Sequence, residues 1–526
     1  MKKKLQSRNP PRFYRKPLFQ ILMVLVLIFA ARIFYLNFIP FPTAYIPDIP
    51  QVNKLERVEK PNIVIILLDD LDDTLTPFWD AMPATKKLIK ERGMTFANSF
   101  SPNPLCCPAR ASLLTGKYSH NTGVFNNDGK EGGWQMFYKN GNEDETIAVY
   151  LKNAGYKTTH IGKYLNGIED KPTHIPPGWT DWQGGVGRAI YTGYNYTFNE
   201  NGKIVTYGSK PEDYLTDVIT KKAVNSIIEA DIEDDVPFLL SLAPTAPHYP
   251  LPEAPRHRNH PYRFADLPET ANYNEEDLSD KPEWLKSSQF TRSLFLYTTD
   301  WDYRQRMGSL YAVDEMVASV ISSLHETGEL GNTYIIFTSD NGYNNGSHKL
   351  IQKMAPYEES LRVPLVISGP GIKKASEYHF ALTIDLAPTI LELAEVSLPS
   401  KIDGMSLTSF LFDEDNVKWR KDFLVQHKIG GLASEFNGYP WILDFVTDFI
   451  DVPSYTALRT EDFLYIEWDT IVKKEYELYD LKKDPNQLNN ILNKSNKNSV
   501  DQDLIRELKN RLVFLKTCKG STCKVE

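Results

Sequence analysis

Two nearly unbroken apolar runs, each ending in acidic residues, place the strongest constraint on how this chain folds. Asn62–Leu68 is followed by Asp69-Asp70, and Thr333–Phe337 leads through Thr-Ser into Asp340-Asn341. Continuous β-branched runs of this length are typical of parallel strands buried on both faces. A single acid at such a position more often caps a turn. Two such clusters at the carboxyl ends of strands, where ligands collect, instead predict a site for a hard cation such as Ca²⁺ or Mg²⁺.

The order of the predicted elements indicates one large domain and one small one. Strand-like and helix-like segments alternate from Pro61 to about Ala394, which predicts a doubly wound α/β domain. Beyond residue 400, short strands followed by the helical pattern Leu504–Leu515 predict a smaller antiparallel sheet packed by a terminal helix. Residues 250–300 are rich in proline, asparagine and charge, and we expect a long surface insertion there. The expected division is an N-terminal basic and apolar segment (1–40), a linker (41–60), the main domain (61–398) and the C-terminal subdomain (399–526).

Charge and hydropathy argue against a nucleic-acid partner and for a location outside the cytosol. The net charge is −9 and the body carries no basic patch. The early basic residues precede an almost wholly apolar stretch, Leu18–Ala31, whose length fits a signal-peptide core. Leu18–Pro40 also fits a membrane-spanning signal anchor with a cytoplasmic basic tail, if Arg32 snorkels or finds a polar partner. Both interpretations place the body outside the cytosol.

A cysteine-proline-arginine motif lies at the start of a predicted helix. Cys106-Cys-Pro-Ala-Arg110 continues into good helix-forming residues that Gly116 can end. Pro108 suits a first helical turn, and the unpaired N–H groups there favour an anion near residue 106. Arg110 lies about one turn further on, near enough to orient residue 106 or its bound anion. The alternative is a pair of buried or disulfide-bonded cysteines beside a turn.

The remaining two cysteines, Cys518 and Cys523, close a short loop near the C-terminus. An oxidising compartment would make them a disulfide, in agreement with the predicted location. A reactive pair or two free thiols is the alternative.

The run from Cys106 to His120 resembles the signature of the type I sulfatases. In that family the cysteine of Cys-x-Pro-x-Arg is converted to formylglycine by a formylglycine-generating enzyme, and the hydrated aldehyde attacks the sulfate ester. Proline at +2 and arginine at +4 identify Cys106, and not Cys107, as the matching residue. The resemblance covers roughly residues 60–525. It implies an alkaline-phosphatase-like α/β fold and a secreted, lysosomal, periplasmic or membrane-anchored protein.

The same resemblance implies roles for residues that would otherwise pass as surface charges or turn residues. The expected catalytic set is Cys106, Arg110, Lys117, His120 and His248. In it, His248 protonates the leaving group and His120 acts as a base or orienting group. The sulfate or substrate would be bound by Lys163, Lys353 and His348. One Ca²⁺ per chain would be held by Asp69, Asp70, Cys106, Asp340 and Asn341.

The substrate is less constrained than the chemistry. Segments such as Gly116–Asn121, Gly162–Asn166 and Pro176–Trp179 look closest to the N-acetylglucosamine-6-sulfatase branch. We therefore expect a sulfated saccharide of the N-acetylglucosamine 6-sulfate type, with an arylsulfatase of broad specificity as the alternative. A phosphonate or phosphodiester hydrolase of the same superfamily is a third hypothesis, and a catalytically silent glycan-binding protein is a fourth. The maturation cysteine and the oxygen-dominated metal site favour the sulfatase.

Overall fold

The computed structural model describes most of the chain from residue 60 onward. The described residues are 23, 46–49, 60–75, 77–232, 236–287, 298–414, 417–429, 452–470, 474–493 and 501–525. Apart from Met23, the predicted signal or anchor segment lies outside them. Within these ranges, no helix combines the length and the apolar character needed to cross a membrane.

The described secondary structure alternates between strands and helices as far as residue 393. The strands are β1 Asn62–Leu68, β2 Met94–Phe96, β3 Ser99–Phe100, β4 Lys157–Gly162, β5 Asp181–Val186, β6 Thr197–Glu200, β7 Lys203–Thr206, β8 Phe238–Ala243, β9 Thr333–Ser339, β10 Asn344–Asn345, β11 Ile351–Gln352, β12 Leu365–Ser368, β13 Ala375–Glu377, β14 Ala381–Leu382, β15 Asp422–His427, β16 Tyr455–Thr460, β17 Phe463–Asp469 and β18 Lys474–Asp480. The α-helices are α1 Pro77–Asp80, α2 Pro83–Thr85, α3 Cys106–Thr115, α4 Ser119–Thr122, α5 Gly133–Lys139, α6 Ile147–Asn153, α7 Leu215–Ile232, α8 Glu283–Ser287, α9 Thr299–Glu326, α10 Glu358–Leu361, α11 Leu386–Leu393, α12 Thr408–Leu411 and α13 Gln502–Leu515.

A mixed sheet of ten strands forms the centre of the large domain. Its order is β13-β2-β12-β9-β1-β8-β4-β5-β6-β7. The five neighbours β9, β1, β8, β4 and β5 are parallel, with β1 in register against both β8 and β9. Their carboxyl ends therefore meet at one edge of the sheet, as the two apolar runs predict.

Helices cover both faces of this sheet, which confirms the doubly wound prediction. Val64, Ile66 and Leu68 belong to one apolar cluster, together with residues of α7 and α9. Ile63, Ile65 and Leu67 point the other way into a second cluster, which includes residues of α3, α6 and α11. Every residue of β1 is buried because alternate side chains enter opposite cores.

The C-terminal part forms its own antiparallel sheet of four strands, in the order β15-β16-β17-β18. Helix α13 contributes Leu508, Leu512 and Leu515 to the apolar cluster beside it. Cys518 and Cys523 form a disulfide, as predicted. The small antiparallel sheet with a terminal helix is thus also confirmed.

Candidate active site

The side chains of the site project mainly from the carboxyl ends of the parallel strands. Two acids follow β1, a lysine follows β4, a histidine follows β8, and an acid and an amide follow β9. A cysteine opens α3, an arginine lies one turn later, and a lysine follows β11. We call this group the inner cluster; it consists of Asp69, Asp70, Cys106, Arg110, Lys163, His248, Asp340, Asn341 and Lys353.

Cys106 lies inside this cluster, whereas its neighbour Cys107 does not. The Cys106 Sγ is 3.5 Å from Asp69 Oδ1 and 3.0 Å from Lys353 Nζ. Cys107 instead packs in the apolar cluster beside α6 and α11, and its backbone N–H donates to Asn127 Oδ1 at 2.9 Å. Burial raises the pKa of the Cys106 thiol well above its usual range, against the pull of both lysines. An unmodified thiol here is therefore protonated at neutral pH.

Helix α3 presents Cys106 and Arg110 to the cluster because its first and second turns face the strand ends. Gly116 ends the helix in the left-handed conformation, with φ of 69°, and its N–H donates to the Ser112 carbonyl. A side chain at Gly116 would meet Ile402 at 2.9 Å, so glycine is required there for two reasons.

Three short, buried ion pairs hold the inner cluster together. Lys163 Nζ lies 2.6 Å from Asp69 Oδ2, and Arg110 Nε lies 2.7 Å from Asp340 Oδ2. The third pair joins Lys353 Nζ to both oxygens of Asp70, at 2.7 and 2.8 Å. Three carboxylates thus offset three cations whose side chains are almost fully buried.

Positive charge keeps the first two acids ionised in spite of their burial. Burial opposes ionisation of Asp69, but Lys163, His248 and Arg110 hold its pKa below the ordinary value. Burial likewise opposes ionisation of Asp70, and Lys353 and His248 lower its pKa. Both side chains therefore remain carboxylates, the form that a hard cation requires.

Three buried polar atoms of the cluster have no hydrogen-bond partner among the described residues. They are Asn341 Oδ1, Arg110 Nη2 and His248 Nε2. An orphaned acceptor beside carboxylates is suited to a cation, and orphaned donors are suited to an anion or a leaving oxygen. Ligand atoms of Asp69, Asp70, Cys106 and His248 also lie within 4.8 Å of one another. These four residues, two of them carboxylates, form a candidate acidic metal site, and Asp340 Oδ1, which accepts from the Asp70 N–H at 3.2 Å, lies beside it. The carboxylate and amide oxygens are of the kind that a hard cation prefers.

His248 has its ring oriented by two neighbours. Its Nδ1 donates to the carbonyl of Tyr249, which fixes a proton on that nitrogen because a carbonyl can only accept. The ring of Tyr191 lies against it, with centroids 4.4 Å apart. The other nitrogen, Nε2, is left 3.5 Å from Asp70 Oδ2. A proton on Nε2 is therefore the one that His248 can transfer.

A cavity of about 680 Å³ opens from the inner cluster. Its buried end is lined by Asp70, Lys163, His248 and Lys353, and its more exposed part by residues that include Arg188 and Tyr191. This volume lies within the ordinary range for a small-molecule site. Anion-binding groups at the closed end and a wide outer part suit an anionic ester on a bulky alcohol.

Family comparison decides which chemistry this geometry belongs to. The sulfatase family model matches residues 61–396. The chain belongs to the sulfatase family. As a sulfatase, it is an enzyme that hydrolyses sulfate esters. Residues 346–513 match a further model, described as the C-terminal part of N-sulphoglucosamine sulphohydrolase.

Individual relatives support the same assignment. The N-acetylglucosamine-6-sulfatase of Homo sapiens is 35% identical over 493 residues, which cover 88% of this chain and 86% of that protein. An arylsulfatase of Volvox carteri is 32% identical over 512 residues, which cover 88% of this chain and 76% of that protein. The predicted resemblance to sulfatases, with N-acetylglucosamine-6-sulfatase relatives, is confirmed.

Solved structures confirm the alkaline-phosphatase-like fold of this sulfatase. A protein in complex with its substrate D-glucosamine-2-N,6-O-disulfate has a TM-score of 0.65 at 26% identity, over 86% of this chain and 97% of that one. A phosphonate monoester hydrolase from Silicibacter pomeroyi also has a TM-score of 0.65, at 20% identity, over 86% of this chain and 95% of that one. The second likeness concerns the fold alone.

Two residues expected in the sulfatase site, Lys117 and His120, lie elsewhere. Helix α3 separates them from Cys106, and its ten residues span about 15 Å. Lys117 pairs with Glu145, and the His120 ring contacts Gln426 Oε1 and the carbonyl of Cys518, each at 2.8 Å. The geometry does not support a charge-stabilising role for Lys117 or a base role for His120. Sequence adjacency to the cysteine motif is a poor guide here because the helix carries the chain away from the site.

His348 does not belong to the cavity lining either. Its Nδ1 lies 2.5 Å from Glu275 Oε2, and its Nε2 lies 3.2 Å from Asn272 Nδ2. Its ring is fully buried against Tyr357, with centroids 4.3 Å apart. His348 therefore fastens part of the 250–300 insertion to the main domain, and direct substrate binding is not supported.

Two cavity residues, Tyr191 and Arg188, are not predicted from the sequence. Both belong to the short 3₁₀ helix Arg188–Thr192 that follows β5. Tyr191 touches the His248 ring and lies under Lys163, whose Nζ is 5.0 Å from the ring centroid. Neither residue lies in a motif or a periodic pattern, so only the folded loop reveals their position.

Proposed function

We propose that this sulfatase removes the 6-O-sulfate of an N-acetylglucosamine-type saccharide, with residue 106 as the nucleophile after conversion to formylglycine. The observation that carries the proposal is the position of Cys106. Its Sγ contacts Lys353 and Asp69, and two further cluster members that line a sugar-sized cavity, Lys163 and His248, lie close by. Formylglycine would supply a geminal diol that attacks the sulfate sulfur.

The ion expected in this site is one Ca²⁺, held by Asp69, Asp70, Asp340 and Asn341 next to residue 106. When bound, it would supply positive charge for the developing negative charge on sulfate. The support is the set of buried carboxylates and the orphaned Asn341 Oδ1. A cation on the carboxylates would also release Lys163 and Lys353 from their present ion pairs. The two lysines would then be available to bind sulfate oxygens.

The remaining chemistry belongs to side chains of the cluster. Lys163 and Lys353 bind the sulfate oxygens, and Arg110 orients residue 106 through its position one turn along α3. Arg110 is itself fixed by the Asp340 carboxylate and the Lys163 carbonyl, at 2.7 and 2.8 Å. His248 donates its Nε2 proton to the leaving alcohol oxygen, since Nδ1 is committed to a carbonyl.

The saccharide assignment draws on the relatives. Human and goat proteins at 35% identity are N-acetylglucosamine-6-sulfatases, and one structural neighbour holds a 6-O-sulfated glucosamine. Arylsulfatases of algae at 32% identity make broad aryl-sulfatase activity the second candidate. In either case we propose an extracytoplasmic catalytic domain over residues 61–398 with the subdomain 399–526 attached. The formylglycine-generating enzyme of the source would be a required partner.

The test is a pair of adjacent substitutions, Cys106→Ala and Cys107→Ala, in the full chain. Cys106→Ala should abolish release of inorganic sulfate from N-acetylglucosamine 6-sulfate. Cys107→Ala should retain substantial activity because its side chain lies in an apolar cluster outside the inner cluster. Mass spectrometry of the tryptic peptide 93–110 from wild type should find an aldehyde at residue 106. Equal loss in both variants, with circular dichroism unchanged, would remove Cys106 from the nucleophile role. Faster hydrolysis of a phosphonate monoester than of any sulfate ester would favour the rival activity.

A further inference from the structure

We propose that Arg188 binds a second anionic group on the sugar, so that the preferred substrate carries another sulfate or carboxylate besides the sulfate that is removed. The inference rests on the proposed saccharide substrate and deepens it. Arg188 lines the outer part of the cavity, and its Nη1 is buried without a hydrogen-bond partner among the described residues. Arg188 as a whole is half-buried, but a guanidinium nitrogen that is kept from water without a partner is costly unless a ligand pairs with it.

The charges around Arg188 indicate that this residue determines whether the outer part of the cavity can bind an anion. The inner lysines that line the cavity, Lys163 and Lys353, lie next to the carboxylates of their own cluster. The charged residues of the outer lining are Arg188 and three acids, Asp128, Glu169 and Asp170. Without the arginine, the charged side chains of this part of the lining would all be carboxylates. Arg188 therefore sets whether a second negative charge is accepted or repelled.

Two of these acids already accept hydrogen bonds from the protein. Glu169 accepts from the N–H of Gly167 at 3.0 Å, and Asp170 accepts from Gln135 Nε2. The Arg188 side chain, in contrast, makes no ion pair or hydrogen bond within the described parts of the chain. Its planar donors match the oxygens of a sulfate or a carboxylate in bidentate geometry. Two anions of this kind are tested: an N-sulfo group on the same ring, as in the ligand of the structural neighbour, and the carboxylate of a neighbouring uronic acid.

Inhibition by reaction products can distinguish binding at the inner cluster from binding at Arg188. Nitrophenyl sulfate turnover serves as the reporter, so the assay works whatever the natural sugar is. Inorganic sulfate should bind at the inner cluster, and glucosamine N-sulfate, which lacks the 6-sulfate, should bind through Arg188. Arg188→Gln should weaken inhibition by glucosamine N-sulfate about tenfold or more and change inhibition by inorganic sulfate less than about threefold.

Two further variants serve as controls. Lys171→Gln removes the same charge from an exposed residue that does not line the cavity, and it should leave both inhibition constants unchanged. Arg188→Lys keeps the charge and loses the planar fork, so it should fall between wild type and Arg188→Gln. A disaccharide of N-acetylglucosamine and glucuronic acid tests the second source of the anion. An Arg188 effect on that disaccharide alone would assign the carboxylate, and an effect on the N-sulfate alone would assign the N-sulfo group.

The proposal fails if neither compound inhibits wild type better than N-acetylglucosamine does, or if Arg188→Gln leaves both inhibition constants unchanged. It fails as well if Arg188→Gln weakens inorganic sulfate and glucosamine N-sulfate by the same factor. The proposed function fails separately, if wild type releases no sulfate from any 6-sulfated glucosamine while still cleaving nitrophenyl sulfate.

Discussion

The two ends of helix α3 belong to one continuous sequence motif and have different roles in the structure. At the N-terminal end, Cys106 and Arg110 enter the buried inner cluster. Just beyond the C-terminal end, Lys117 pairs with Glu145, and His120 of α4 contacts the loop that carries the C-terminal disulfide. A family signature can therefore combine residues that enter the active site with residues that hold two parts of the chain together.

The paired cations of the two ends show the same contrast. The Arg110 side chain is 2% exposed and pairs with a fully buried carboxylate, Asp340. Burial disfavours the charge on Arg110, but Asp340 and Asp69 outweigh it and raise the pKa of Arg110. The Lys117 side chain is 8% exposed, and its partner Glu145 is 26% exposed and also pairs with Lys401 at the surface. An ion pair that solvent can screen contributes little, whereas a buried one orders its surroundings.

The largest effect is expected when Arg110→Gln is compared with Lys117→Gln, because the two variants remove one cation from each side of helix α3. We expect Arg110→Gln to lower kcat/KM by about a hundredfold to a thousandfold, the usual cost of removing one positioned electrostatic group. Lys117→Gln should change kcat/KM by less than about threefold, because its charge lies about one helix length from residue 106. Steady-state kinetics on a nitrophenyl sulfate, with thermal unfolding of each variant, provide the measurement.

Since Arg110→Gln leaves Asp340 without its arginine, the variant can lose stability as well as activity. Arg110→Lys keeps a cation near Asp340 but cannot reproduce both of the present hydrogen bonds, so a folded and slow enzyme is expected. Comparable losses of kcat/KM in folded Lys117→Gln and Arg110→Gln would erase the distinction between the helix ends.

A smaller effect on kcat, which depends on the substrate, is expected at His248, the histidine of the inner cluster. A sugar alcohol is a poor leaving group and needs a proton, whereas nitrophenolate does not. His248→Ala should therefore lower kcat on N-acetylglucosamine 6-sulfate by about 10²–10⁴ and on nitrophenyl sulfate by a much smaller factor. Equal losses on both substrates would show that His248 positions sulfate and does not donate the proton.

Much of the fold could be predicted from the sequence because its signals are local. The apolar run of β1 alternates into two cores, so its composition alone indicates burial on both faces. The strand-end acids could be placed together because parallel strand ends share one edge of a sheet. The cysteine and Arg110 are linked to these acids by the resemblance to sulfatases. Their hydrogen-bond partners and the exact pairing of lysines with acids could not.

The unpredicted parts depend on where the chain goes after each motif. Helix α3 carries Lys117 and His120 away from the site, and no periodic pattern reports that direction. His348 follows Asp340 and Asn341 closely in sequence, yet its ring contacts Glu275 of the 250–300 insertion and not the cavity. Arg188 and Tyr191 reach the cavity from a glycine-rich turn, and their residue types there are equally compatible with an ordinary surface loop.

The smallest effect on activity is expected at His120. It tests whether the residues that follow helix α3 stabilise the fold and take no part in catalysis. Its ring makes contacts at 2.8 Å with the Gln426 side chain and with the Cys518 carbonyl. His120→Ala should therefore cost about 1–2 kcal/mol of stability, the sum of two modest hydrogen bonds, and leave kcat nearly unchanged. Urea midpoints of His120→Ala, Gln426→Ala and the double variant measure the coupling, for which we expect about 0.5–1 kcal/mol. If His120→Ala keeps its urea midpoint and loses activity by more than about tenfold, a difference of roughly 1.4 kcal/mol in the barrier, His120 acts in catalysis after all.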